Sequence, residues 1–289
     1  MINFRCIHRH SALSHPKCYL KFLNGGVDVQ RLPRVLVFDI ETSPLKAFVW
    51  QKSVWKANIG SEQILSEWYM LCYSAKWLFS DTVISERLTG KEAKDENDSR
   101  IVKSLWKLLD EADLVIAHNV PFDVPNMNTR FVVHGLPPTS PYQTIDTCQI
   151  ARKQFGFTHN SLNGLAKIFG FDVKLETNFD LWKRCVDGDD KALEYMEKYN
   201  RHDVELLEDV YMKLRPWIKG HPNLGLYVET DEVVCPNCGN TDIAWTNKYY
   251  YTSTGKYRTF RCQCGAFGRS RKTSLSKEVK KNLAVGIGK

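Results

Sequence analysis

Apolar residues fall along this chain in two kinds of rhythm. Short, β-branched runs at Val35–Glu41 and Leu114–His118 read as buried strands. Further strands are expected at Met70–Leu78, Thr82–Leu88 and, more briefly, Tyr142–Asp146. Val35–Glu41, Met70–Leu78 and Thr82–Leu88 should form an antiparallel meander. Helical spacing takes over at Arg100–Leu109, Val124–Val133, Thr147–Gln154, Ser161–Phe169 and Lys191–Leu214. In the last of these, Leu193, Met196, Tyr199, Val204, Leu207 and Val210 keep close to one helix face. Strands alternating with helices bury such runs best as an α/β layered domain. Near the end of the chain the pattern changes again. Ile243–Tyr251 and Tyr257–Arg261 read as two strands joined by the turn Thr252-Ser-Thr-Gly-Lys256.

Three motifs within the α/β region carry acids at positions where burial is expected. Asp39 and Glu41 lie in Val35-Leu-Val-Phe-Asp-Ile-Glu-Thr-Ser43. A buried aspartate costs several kcal/mol unless it is paired or binds a metal. Side chains alternate along a strand, so Asp39 and Glu41 share a face, roughly 6–7 Å apart along the chain, while Ile40 points into the core. An ordinary acidic strand end facing solvent would explain this motif by itself. Asp123 follows Leu114-Val-Ile-Ala-His-Asn-Val-Pro-Phe122 and falls near the first turn of the next helix. The free N–H groups there favour a carboxylate, so a simple helix cap would also explain it. Tyr199 and Asp203 are four residues apart in a helix and project together. Four carboxylates that converge could hold two magnesium-like cations, and such a pair can cleave a phosphodiester. A nuclease is the reading that joins all three motifs.

These motifs, in this order, resemble the DEDD superfamily of 3′-to-5′ exonucleases in its tyrosine-bearing branch, which includes polymerase proofreading domains. The resemblance runs from about Pro33 to Pro216. It takes in Thr144-Ile-Asp-Thr-Cys-Gln-Ile-Ala-Arg152 and His159-Asn-Ser-Leu-Asn-Gly-Leu-Ala-Lys-Ile-Phe-Gly170. The histidine-bearing branch would need His where Lys198 stands, and His202 has the wrong offset. The resemblance implies a ribonuclease H-like fold, a mixed five-stranded sheet flanked by helices. It implies two catalytic Mg²⁺ or Mn²⁺ ions. Asp39 would bridge both, Glu41 and Asp203 would complete one site, Asp123 would hold the second ion and Tyr199 would orient the attacking water. It also implies that Thr42, Asn119 and Phe122 contact nucleic acid. The expected activity is release of 5′-mononucleotides from 3′ ends, most simply of single-stranded DNA. An RNA exonuclease, a ribonuclease H-like endonuclease and a catalytically silent adaptor are the alternatives.

Cysteines mark a second unit. Cys235-Pro-Asn-Cys238-Gly239 and Cys262-Gln-Cys264-Gly265 flank the C-terminal hairpin, the pattern of a zinc ribbon with four thiolates and one structural Zn²⁺. The second pair has one intervening residue rather than two. Charge separates the two units. Residues 233–289 carry eleven Lys and Arg against Asp242 and Glu278, whereas the whole chain is only +7. Basic residues among aromatics suit single-stranded nucleic acid, with charges tracking phosphates and rings stacking on bases. Arg258, Arg261, Arg269, Arg271 and Lys272 are the candidate phosphate contacts.

The 289 residues divide into an arm (1–32), a nuclease domain (33–220), a linker (221–232), the ribbon (233–272) and a mobile basic tail (273–289). Gly90–Arg100 reads as a solvated loop. Cys6, His8, His10, His15 and Cys18 crowd the arm in no recognised zinc spacing. No run is long enough to span a membrane and no basic-then-apolar leader opens the chain. Together with free thiols, this leads us to expect a bacterial or phage-infected host cytoplasm. The ribbon could also recruit a replication or recombination protein.

Overall fold

The computed structural model describes residues 33–50, 58–172, 175–227 and 232–287. The arm with its Cys6, His8, His10, His15 and Cys18 lies outside the described residues. Two compact units are present, divided between Tyr211 and Met212.

The first unit is built on a five-stranded sheet. Its strands are β1 (Val35–Thr42), β2 (Met70–Trp77), β3 (Ile84–Arg87), β4 (Leu114–Ala117) and β5 (Gln143–Asp146), in spatial order β3-β2-β1-β4-β5. β1, β2 and β3 form the expected antiparallel meander, and β4 and β5 run parallel to β1. The helices are α1 (Ser99–Asp110), α2 (Val120–Val133), α3 (Thr147–Gln154), α4 (Leu162–Phe169), α5 (Phe179–Val186) and α6 (Asp190–Leu214). β1 is central and apolar because it is covered on both faces: Leu36, Val37 and Phe38 are wholly buried. This is the mixed, helix-flanked sheet expected of the ribonuclease H-like fold.

Several details differ from the sequence reading. α2 begins at Val120, not Val124, because Pro121 is tolerated in the first turn, where its missing N–H has no intrahelical partner to lose. α5 was not anticipated. Its signal is the pair Leu181 and Cys185, four residues apart and both buried, diluted by four charged neighbours. The stretch read as a solvated loop, Gly90–Arg100, contains a helical turn at Gly90–Lys94, capped by reciprocal Thr89 and Glu92 bonds. It also contains Asp98, which is fully buried. Asp98 precedes α1 but does not cap it with its side chain. Its carboxylate instead accepts from the Met70 N–H at 2.8 Å and from Arg130 Nε at 2.7 Å, with His134 Nε2 2.6 Å away. Three elements are thereby locked together: β2, the start of α1 and the end of α2.

A buried carboxylate left without its cation is costly. Arg130→Ala is expected to lower stability by about 3–5 kcal/mol, read as a fall in the urea midpoint. A loss below about 1 kcal/mol would mean that the pair is screened like a surface bridge.

The second unit holds a three-stranded antiparallel sheet of β6 (Ile243–Thr252), β7 (Gly255–Cys262) and β8 (Phe267–Arg269), in order β8-β7-β6. The third strand had not been foreseen from the hairpin pattern. Residues 221–227, expected as linker, include the helical turn Leu224–Tyr227, and the Leu224 N–H bonds the Pro236 carbonyl at 2.8 Å. The tail is likewise not featureless: Lys277–Lys281 is a helical turn capped by Ser276.

Candidate active site and metal-binding ribbon

Pairing with β4 covers only Val35–Val37, so β1 runs on past its parallel neighbour with that side open. Asp39 and Glu41 sit on this projecting end, at the carboxyl edge of the parallel strands, where open α/β sheets build their crevices. A register shift between Glu41 and Thr42 ends the regular ladder with β2. Such bulges re-aim side chains next to functional sites.

α6 brings the third motif to the same place. Ligand oxygens of Asp39, Glu41 and Asp203 lie within 4.8 Å of one another. Tyr199 and Asp203, one turn apart on α6, are both buried. Between them stands Asn200, also fully buried, whose Nδ2 donates to Asp39 Oδ2 at 2.6 Å. Asn200 was not singled out from sequence. Its signal is that it continues the buried i, i+4 row from Met196 to Val204, where a polar residue needs a partner.

Asp123 enters from the first turn of α2 and is 2% exposed. Burial pushes its carboxyl well above the usual range, and the Asp39 charge adds to this; bonds from its own and the Ile40 backbone N–H groups pull partly back. Ile40 lies between Asp39 and Glu41, so Asp123 is tied to the strand that bears them. Without a cation, Asp123 holds a proton in the folded state at pH values where the unfolded chain has lost it. Stability therefore falls as pH rises above about 4, the unfolded aspartate value, until the folded carboxyl ionises. Asp123→Asn is expected to raise the melting temperature of the chelator-treated protein at pH 7 and to flatten this pH dependence. An unchanged or lower melting temperature would overturn that account.

Cys72, opposite Glu41 on β2, is buried, and its thiol is pushed up first by burial and then by Glu41 and Asp39. It is a buried, protonation-favoured thiol on the same sheet face as Glu41. Around the site, Thr42 lines a groove of about 370 Å³ together with Pro44, Phe179 and Trp182. Asn119 adopts left-handed backbone (φ 82°) at the start of α2, with its N–H donating to Asp146 Oδ1 at 3.2 Å. Phe122 is 44% exposed.

The four ribbon cysteines also converge. Cys235 and Cys264 sulfurs are 3.7 Å apart, Cys238 and Cys262 are 3.6 Å apart, and all four ligand atoms lie within 4.8 Å. Sulfurs bound at about 2.3 Å around a tetrahedral centre would stand about 3.8 Å apart, so the set fits one zinc ion. Each knuckle closes through a glycine in left-handed conformation: Gly239 (φ 67°) donates to the Cys235 carbonyl and Gly265 (φ 89°) to the Cys262 carbonyl. The single intervening residue in the second pair is thus accommodated. Contacts with Cys235 push the Cys238 and Cys262 thiols up, while the Cys264 thiol is held down by the same neighbour. Four sulfurs this close cannot all ionise unless a cation joins them.

The candidate phosphate contacts do not form one cluster. Arg258 shares a sheet face with Phe260 and Cys262, whereas Arg261 and Arg269 lie on the opposite face. Arg271 and Lys272 are exposed and follow the last strand.

A model of the RNase_H superfamily matches residues 36–215. The chain belongs to the RNase H superfamily. The matched segment spans every strand of the five-stranded sheet and the helices that carry Asp123, Tyr199 and Asp203. Among curated relatives, the DNA polymerase III PolC-type of Listeria innocua serovar 6a is 24% identical over 209 residues, 68% of this chain and 14% of that protein. The DNA polymerase III PolC-type of Pediococcus pentosaceus is 24% identical over 196 residues, 63% of this chain and 13% of that protein. The chain therefore spans about one seventh of these relatives. Among solved structures, the Saccharomyces cerevisiae apo Pan2 pseudoubiquitin hydrolase-RNA exonuclease module in complex with AAUUAA RNA covers 65% of this chain and 33% of its own. It is 13% identical, with a TM-score of 0.31. RNase H membership agrees with the fold that the sequence motifs implied.

Proposed function

We propose that this protein is a divalent-cation-dependent 3′-to-5′ exonuclease that hydrolyses single-stranded DNA to 5′-mononucleotides. The observation that carries this reading is the convergence of Asp39, Glu41 and Asp203 from β1 and α6 on one point, with Asp123 beside them. Uncompensated carboxylates repel one another, and an all-oxygen set suits Mg²⁺ or Mn²⁺. Asp39, Glu41, Asp203 and Asp123 would hold two such ions, which supply Lewis acidity and lower the pKa of water at neutral pH.

The remaining work falls to the chain itself. Asn200 fixes the Asp39 carboxylate in one orientation. Asp123, whose carboxyl is pushed up by burial, supplies a further charge once it ionises. Tyr199 presents a phenol one turn from Asp203 and orients the attacking water by hydrogen bonding. Thr42, Asn119 and Phe122 contact the strand end, and the groove beside Thr42, with Phe179 and Trp182, would seat a terminal base. DNA is favoured because the curated relatives are DNA polymerases by name. No helix among the described residues is long and apolar enough to cross a membrane. A cytoplasmic setting, with Zn²⁺ in the ribbon, is part of the same reading.

The test is a gel time course with 5′-labelled single-stranded DNA and matching RNA in Mg²⁺ or Mn²⁺. A ladder shortening from the 3′ end, faster on DNA, is expected. Internal cuts would make the enzyme an endonuclease, faster loss of RNA would reassign the substrate, and intact polymers would leave a binding protein.

A further inference from the structure

We propose that the outer face of the ribbon sheet is a second binding surface for single-stranded DNA, built from Tyr250, Tyr257, Arg261, Phe267 and Arg269. The choice of DNA rests on the function proposed above; the surface itself rests on the ribbon alone. Alternation along the strands assigns every side chain to one of two faces. Phe260 and Cys262 point to the face where the cysteines lie, and there they are buried with Cys235, Cys238 and Ala266. Trp245, opposite Phe260, stacks edge-on against it at 5.6 Å. That face is the ribbon's own core. Tyr250, Tyr257, Arg261, Phe267 and Arg269 belong to the other face, which carries no cysteine knuckle.

On this outer face cations and rings alternate across all three strands. Arg261 lies 4.5 Å from the Phe267 ring centre, and Arg269 lies 4.2 Å from that of Tyr257 and 5.3 Å from that of Tyr250. Tyr250 and Tyr257 are directly opposite each other on β6 and β7. The Tyr257 ring lies flat across Gly255, where a Cβ would come within 2.5 Å of it. Tyr250 and Phe267 are half exposed. Guanidinium groups resting on rings lose fewer rotamers when they meet a phosphate, and each planar group offers a face to a base. None of the five strand positions is acidic, and the acids of residues 233–289 are confined to Asp242 and Glu278. Charge complementarity thus selects a polyanion. The rings select one with unpaired bases, since a duplex offers few base faces for stacking.

The experiment measures anisotropy of a labelled 20-nucleotide DNA with the full-length protein in chelator-free buffer lacking Mg²⁺ and Mn²⁺, so that zinc is retained and hydrolysis plays no part. Tyr250→Leu is expected to weaken binding about tenfold, whereas Tyr250→Phe, which keeps the ring, binds as wild type. Arg261→Ala with Arg269→Ala is expected to weaken it further and to reduce the salt dependence by about 0.7 per arginine lost. Unchanged affinity in both the leucine and the double-alanine variants overturns the proposal. So does equal loss on blunt duplex, which would indicate charge without stacking, or tighter binding of RNA than DNA. Zinc content and thermal melting confirm that each variant is folded. Hydrolysis by wild type is read separately, with Mn²⁺ added: ribbon-dependent binding without cleavage would sink the nuclease reading alone, and cleavage without ribbon-dependent binding would sink this one alone.

Discussion

Asp39→Ala is expected to reduce hydrolysis of single-stranded DNA at least about a thousandfold, on the order of 4 kcal/mol of barrier, while the protein stays folded. Asp39 is the residue through which the others are joined. Its carboxylate shares a site with Glu41 and Asp203, accepts from Asn200 and raises the Asp123 carboxyl by its charge. Alanine removes a cation ligand, so Mn²⁺ affinity measured by calorimetry should fall with activity. The effect on the cation-free fold is smaller because two terms oppose. Relief of repulsion stabilises, whereas the Asn200 amide, buried and stripped of its acceptor, costs roughly 1–3 kcal/mol. A melting temperature in chelator within several degrees of wild type is therefore expected. Wild-type turnover in this variant would show that the carboxylate cluster is not the catalytic centre. A collapsed melting temperature would show that Asp39 serves the fold.

The strands and the acids were legible because each violates or obeys a simple local rule. Val35–Ile40 is apolar beyond what one buried face requires, and the acids that interrupt such a run stand out against the cost of burying them. The meander came with the resemblance to the DEDD superfamily, whereas the parallel pairing of β4 with β1 and of β5 with β4 was not read from the sequence. What escaped was whatever depends on a partner distant in sequence. Asp98 lies in a segment crowded with Lys, Glu and Asp, and nothing local separates it from its solvated neighbours; only the arrival of Arg130 and His134, more than thirty residues on, makes its burial tolerable. Asn200 is similar, since its acceptor lies 161 residues away. α5 escaped for a different reason: eight residues with two buried positions carry too little periodic signal. On the ribbon, plain alternation along β7 already separates Arg258 from Arg261; what the sequence did not give is the third strand, whose pairing with β7 sets Arg269 on the Arg261 face.

Stripping the ribbon of zinc with a strong chelator, or replacing Cys238 with serine, should unfold the second unit's sheet and leave the RNase H-like unit intact. The reason is size. The ribbon's buried core is four residues beyond Cys238 itself: Cys235, Phe260, Cys262 and Ala266. A cluster this small, with three of its members thiols, cannot by itself offset the conformational entropy of ordering a three-stranded sheet. Structural zinc contributes apparent free energies of about 10–16 kcal/mol in small zinc-finger peptides, far more than the apolar burial available here. The cysteine set should therefore make folding of the ribbon conditional on the metal. Amide hydrogen exchange separates the two units: protection across β6 and β7 should vanish without zinc, while β1, β2 and β4 keep theirs. Readdition of Zn²⁺ should restore the former with release of protons from the thiols. Since the sheet presents Tyr250, Tyr257, Arg261, Phe267 and Arg269, its loss should weaken binding of single-stranded DNA as strongly as the combined side-chain variants do. Retained protection in β6 and β7 after verified zinc removal would show that the four cysteines do not hold the ribbon together.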